Sequence, residues 1–282
     1  MPSDRAALGA FLRSRRDRLT PVDAGIEAFP GPRRVPGLRK EELAVAAGLS
    51  PDYYSRLEQG RQANVSAQVL EALARTLRLD TVERAHLHDL AAPGRPRRQG
   101  PVEAPQQPGP GLLRLMADLE HVPVLLLGRR GEVLAHNTLL AAVLGRGFAH
   151  GASFPRYLVL DPLARERILN WDEFAPASVA SLRRETGRRP HDHRLTELVA
   201  ELVAADAEVA RWWEDQAVRD HAPLTKLVRH PTAGDLTFAI ESVSAAQEPD
   251  QTLVVYTCPP DSPTAQLLPI LASWESQPVS PR

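Results

Sequence analysis

The chain has 282 residues, room for two domains that each bury a core, and a formal net charge of -1. Its one cysteine, Cys258, excludes an internal disulfide and a cysteine-based zinc cage. With no apolar run of about 18 residues and no apolar signal segment, the expectation is a soluble cytoplasmic protein that does not engage a membrane. The near-neutral total hides an asymmetry. Residues 1–100 carry 17 lysines and arginines against 12 acids, a net of +5, leaving -6 for the remainder. A basic part joined to an acidic part suits a nucleic-acid-binding domain attached to something else.

In chain order, residues 6–18 are predicted helical, with Leu8, Phe11 and Leu12 on the inner face and Arg13 and Arg16 beside it. Residues 19–38 hold four prolines and three glycines, which rule out a regular helix, and the loop carries Arg33, Arg34 and Arg39 at or just beyond its end. Those arginines are candidates for phosphate contact. A solvated loop is the equally plain alternative.

The stretch KEELAVAAGLSPDYYSRLEQG, Lys40 to Gly60, predicts two short helices joined by a tight turn. Gly48 stops the first, where only glycine escapes a Cβ penalty in the left-handed region. Ser50 caps the second and Pro51 occupies its first position, where a missing N–H costs nothing. Tyr54 and Leu57 form the inward pair, which turns Asp52, Arg56 and Gln59 outward with Tyr53 and Ser55 to either side. Arginine and glutamine make bidentate contacts to base edges in a major groove, and hydroxyls suit phosphate. The candidate DNA-binding set is therefore Ser50, Asp52, Tyr53, Ser55, Arg56, Gln59 and Arg61, with Arg33, Arg34 and Arg39. Glu58 ends the reading helix, where the helix dipole disfavours an anion, so a structural ion pair to Arg13, or second to it Arg16, is expected. Ser66 caps a fourth helix, and Asp80 or Thr81 starts a fifth that ends near Leu90, giving an all-α five-helix DNA-binding domain over residues 1–92.

SRLEQGR and LEALARTLRL make this region similar to the phage-repressor type of helix-turn-helix regulator, the XRE family, over about residues 8–80. The long insertion before Lys40 departs from that pattern. VPGLRKEELA and DYYSRLEQGR resemble a branch whose second half is a ligand-binding domain of the MmyB-like, or MltR-like, type. One recognition helix reads only a few base pairs, so a homodimer on double-stranded DNA with an inverted repeat is expected.

Residues 93–110 are dense in Pro, Gly, Gln and Arg and read as a linker, with Arg95, Arg97 and Arg98 as further candidates for DNA backbone contact. Residues 111–282 change pattern. A helix with Leu112, Leu113, Met116 and Leu119 precedes a hairpin, VPVLLLG and EVLA, turning at Arg130-Gly131. Helices are predicted at 137–144, up to Asn170, at 173–186, 193–205, around Arg211-Trp212-Trp213, and at 262–274. Three further strands are LTKLVRH, DLTFAIESV and QTLVVYT, with the turn between the first two at Pro231–Gly234. The fold class is thus α+β with two domains, the second a PAS-like antiparallel sheet with helices, expected to bind ligand and to dimerise.

HPTAGDLTFAIESV and DQTLVVYT, after the double tryptophan, resemble the MmyB-like domain over about residues 111–275. That resemblance implies a small-molecule pocket, with a bound fatty acid as the ligand it suggests. Leu125, Leu127, Leu236, Phe238 and Val255 are candidates to line it, Arg156, Tyr157 or Arg211 to hold a carboxylate, and Trp212 and Trp213 to edge it. A flavin or haem sensor and a partner-protein module docking through the tryptophan helix are the competing readings. No cofactor is required by any motif. GxGxxG, Walker, GxSxG, HExxH and CxxC patterns are absent, so no catalytic residue is assigned and an enzyme is not expected. His191-Asp192-His193 has metal-ligand residue types but no third ligand in register, and is read as a polar loop.

Overall fold

The computed structural model describes residues 4–31, 35–62, 64–92, 106–218 and 224–275. The candidates Arg33, Arg34, Arg95, Arg97 and Arg98, and most of the 93–110 linker, lie outside the described residues. Two compact units form. The first comprises Met1–Gln99, Arg183–Thr196 and Arg211–Asp220; the second comprises Gly100–Leu182, Glu197–Ala210 and His221–Arg282.

In the first unit, α1 (Asp4–Arg18) packs on both α4 (Pro51–Glu58) and α6 (Thr81–Ala91). Phe11 and Leu12 reach full burial among Leu43, Tyr54, Leu57, Leu73 and Leu87. The crossing of α1 on α4 requires glycine at position 9, because a Cβ there would lie 2.2 Å from the Glu58 carbonyl oxygen. The predicted punctuation appears as local geometry. Gly48 takes φ +70 after α3 (Lys40–Ala46), Ser50 Oγ accepts the Tyr53 N–H at 3.2 Å, and Ser66 caps α5 (Ala67–Thr76) through Val69 N–H. Asp80 and Glu83 form a reciprocal capping box at the start of α6.

The insertion is more regular than its proline and glycine content predicts. Thr20 caps, Pro21 sits at the first helical position and Gly25 turns left-handed at φ +69, so a single helical turn, α2 (Pro21–Ala24), forms between two breakers. Buried Glu42 then ties the loop to α3. Its carboxylate accepts the Arg39 N–H at 2.8 Å and the Phe29 N–H at 3.0 Å.

The second unit holds five strands, β1 (Val124–Leu127), β2 (Val133–His136), β3 (Leu224–His230), β4 (Gly234–Ala245) and β5 (Glu248–Thr257). Their order is β2-β1-β5-β4-β3 and every pairing is antiparallel. Gly131 at φ +75 closes the first hairpin and Gly234 at φ +78 the second. Side chains alternate between the sheet's two faces. One face carries Leu125, Leu236, Phe238, Ile240, Val254 and Tyr256 and is covered by α8 (Thr138–Leu144), α9 (Phe154–Leu160) and α14 (Pro263–Glu275). The other carries Val124, Leu126, Leu253 and Val255 against Leu112 of α7 (Pro110–Asp118). Helices α10 (Pro162–Arg167), α11 (Trp171–Arg188), α12 (His193–Ala205) and α13 (Ala207–Glu214) complete the described elements.

Candidate functional site

The reading helix α4 divides its side chains cleanly. Tyr54 and Leu57 are buried at its back. Asp52, Arg56 and Gln59 are exposed at its front, with Tyr53 and Ser55 half-buried beside them. Arg56 Nη2 lies 3.4 Å from Asp52 Oδ2, one turn back, and Gln59 Nε2 donates to Ser55 Oγ at 3.3 Å. These weak intrahelical contacts line up an arginine and a glutamine on one open surface, and exposed pairs of this kind are readily exchanged for base or phosphate contacts. Ser50 and Arg61 are exposed at the two ends of the same helix. Arg39 is half-buried and its guanidinium holds the loop by donating to the Pro30 and Gly31 carbonyls at 3.1 and 2.8 Å.

The back of α4 is fixed electrostatically. The Glu58 side chain is fully buried and receives Arg16 Nε at 3.0 Å, Arg16 Nη2 at 3.2 Å and Arg13 Nε at 3.1 Å, with Lys40 Nζ at 3.6 Å. Sequence reasoning ranks Arg13 first, but Arg16 is the buried partner and Arg13 is half exposed. Arg16 also donates to the Leu38 carbonyl at 2.7 Å, so one guanidinium joins α1, the end of the insertion and the reading helix. Burial opposes ionisation of Glu58, yet the Arg16 hydrogen bonds and charge, with Lys40 and Arg13, outweigh it and hold the carboxyl below its ordinary range.

The ligand candidates separate on inspection. Leu125, Leu127, Leu236 and Phe238 share the helix-covered face of the sheet with Tyr157. Val255 faces the other way, because β5 is apolar on both sides and its odd and even positions cannot be told apart by composition. Arg156 is exposed and forms a bidentate pair with Glu201. Arg211, Trp212 and Trp213 belong to the first unit, where Arg183 stacks on the Trp213 ring at 3.9 Å. The structure therefore does not gather the three into the sheet's core.

A group that sequence reasoning passed over sits in that core. Lys226 of β3 is buried beneath the helices, with Nζ 2.9 Å from Tyr256 Oη and 4.5 Å from the Phe174 ring centroid. Its only signal was its scarcity as one of two lysines, on the strand parity that also buries Val228. Burial pulls its pKa down to about 7. A separate open cleft of about 350 Å³ is lined by Ala141, Gly145, Arg146, His230 and Leu271. Among the described residues no cluster of three or more metal-ligating side chains occurs, and no helix is long and apolar enough to cross a membrane.

Residues 108–271 match the family model of the MmyB-like transcription regulator ligand binding domain, more than half of the chain. The chain belongs to the MmyB-like transcription regulators. Residues 7–87 match a helix-turn-helix domain. This MmyB-like regulator therefore joins an N-terminal DNA-binding part to a C-terminal ligand-binding part, in a family of regulators rather than enzymes. No curated protein matches the chain.

Proposed function

We propose that this MmyB-like regulator, as an XRE-type cytoplasmic protein, binds an inverted-repeat operator as a homodimer and changes its DNA affinity when the C-terminal domain takes up a small apolar ligand such as a fatty acyl chain. The observation that carries the DNA reading is α4, whose exposed Arg56 and Gln59 stand on a helix pinned from behind by Glu58. A rigid helix presenting bidentate side chains can discriminate bases; a mobile one would average its contacts away. Ser50, Tyr53, Ser55 and Arg61 flank it as phosphate contacts, and Asp52 tunes Arg56. The ligand reading is supported by the apolar face of Leu125, Leu127, Leu236 and Phe238 under α8, α9 and α14. The ligand must bind one arrangement of the paired DNA-binding parts better than the other, since equal affinity shifts nothing.

The test is operator selection from a random duplex library, followed by titration of the wild type and Arg56→Ala. Loss of about 1–3 kcal/mol of discrimination at the bases nearest Arg56, with the fold intact, is the expected result. Unchanged base preference in the variant would remove α4 as the reading element.

A further inference from the structure

We infer that the C-terminal end of α13, gripped by Ser14, Arg15 and Arg18 of α1 and by Arg183 of α11, is the coupling contact through which the ligand-binding part of the chain sets the hold of the reading helix on DNA. This rests on the proposed reading of α4 as the DNA-contacting helix. All of these residues lie in the first unit. They come from both matched regions, α1 from residues 7–87, and α11 and α13 from residues 108–271.

The last carbonyls of a helix have no partner within it and carry the negative end of its dipole, so cations suit them. At the end of α13, Arg183 Nη2 donates to the Trp213 carbonyl, Arg18 Nη2 to the Asp215 carbonyl and carboxylate, Ser14 Oγ to the Asp215 carbonyl at 3.2 Å, and Arg15 Nη2 to the Gln216 carbonyl at 2.7 Å. Arg183 Nη1 also reaches Gln216 Oε1 at 2.8 Å. At about 100° per residue, Ser14, Arg15 and Arg18 occupy one side of α1, and Gly9, Arg13 and Arg16 the opposite side. That opposite side touches α4 without slack, through the Gly9 approach to the Glu58 carbonyl and the Arg13 and Arg16 bonds to its carboxylate. A shift of the α13 end therefore pushes α1 against the reading helix.

The contact is poised rather than relaxed. Gln216 stands at φ +55, one of two non-glycine residues in the left-handed region among the described residues, and the guanidiniums on its carbonyl and side chain hold it there. Arg183 is buried with Nε unpartnered, and burial together with the charge of Arg15 pulls its pKa down to about 10. A joint selected only to hold would place glycine at 216 and a hydrogen-bonded acid on Arg183; one that must open keeps its closed state costly. α11 also carries Phe174, in the core beneath the sheet, nine residues before Arg183, with Pro176 between them as a place to bend.

The test uses the full chain and a duplex selected from a random library. Arg18 and Asp215 are both exposed, so Arg18→Asp, Asp215→Arg and the double charge swap leave the core intact. Each single change should raise the operator Kd about three-fold or more, and the swap should return it to within about two-fold of wild type. Asp215→Arg is the decisive variant, because an added cation by itself tightens DNA binding. By reciprocity, operator should slow amide exchange at residues 208–216 in the wild type and not in Arg18→Asp. A contact serving structure alone would exchange equally with and without operator. That outcome, or an Asp215→Arg chain that binds operator at least as tightly as wild type, overturns the coupling and leaves the reading of α4 standing. If the wild type selects no operator, the reading of α4 fails and the coupling with it.

Discussion

The two units hide charge in opposite ways. In the first, buried Glu58 meets two guanidiniums and an ammonium, and its burial serves to lock α1, α3 and α4 together. In the second, Lys226 is buried against three aromatic rings, one of them the Tyr256 phenol it bonds, and among the described residues no carboxylate pairs with it. A satisfied buried ion specifies one arrangement of helices, as a DNA-reading platform needs. One without a charged partner carries a desolvation cost that the fold does not offset, so the two interiors should respond oppositely to loss of the charge.

The contrast is broken most forcefully by removing one partner on each side. Arg16→Ala leaves Glu58 buried with only the half-exposed Arg13 and the more distant Lys40, and should destabilise the first unit by about 3–5 kcal/mol. Arg13→Ala, by contrast, removes a largely solvent-screened contact and should cost about 1 kcal/mol or less. Lys226→Met should go the other way, raising the stability of the second unit by about 1–4 kcal/mol, since an apolar side chain of similar length relieves the desolvated amine. Urea denaturation with probes for each unit checks the three together. Equal and same-signed effects of Arg16→Ala and Lys226→Met would mean that the two buried charges play the same structural role.

Gly9→Ala probes the platform without touching charge. The new methyl would lie 2.2 Å from the Glu58 carbonyl oxygen, so α1 and α4 must separate, at about 1–3 kcal/mol. Operator affinity should fall further than stability alone explains, because the ion cluster opens with the helices. A variant that binds DNA like the wild type would show that the α1–α4 spacing does not set the reading geometry.

Much of this was legible in the sequence. Ser50, Ser66 and Asp80 announce the starts of their helices, and Gly48, Gly131 and Gly234 their turns, because capping and left-handed backbone are decided by a residue and its immediate neighbours. What stayed hidden depends on distant approach. Arg13 and Arg16 share a helix edge, and only the arrival of Gly37 and Leu38 against the Arg16 backbone and side chain makes Arg16 the buried one. Val255 sits among four consecutive buried residues, so its face is set by pairing with Val124 rather than by alternation. Residues 183–196 and 211–220 carry no local mark of belonging with the first unit.

The smallest effect separates the units by pH. His86, buried against Phe11 and facing Arg183, Arg15 and Arg184, has its pKa pulled down to about 3 from 6.5, chiefly by burial. Between those values the unfolded chain holds a proton there that the folded chain does not, so stability rises with pH across that window, and the penalty is full below pH 3. For Lys226 the same logic applies between about 7 and 10.5: the penalty is full below pH 7 and fades as the unfolded lysine also loses its proton. Above pH 10 the buried phenols of Tyr157 and Tyr256, whose pKa values are raised, oppose the gain by resisting ionisation in the folded state. The steps are therefore pH 5 to 6 for His86 of the first unit, a window in which His230 of the second unit, its pKa also lowered chiefly by burial, contributes with the same sign, and pH 8 to 9 for Lys226, each group worth at most about 1.4 kcal/mol. His86→Leu should flatten only the first step and Lys226→Met only the second.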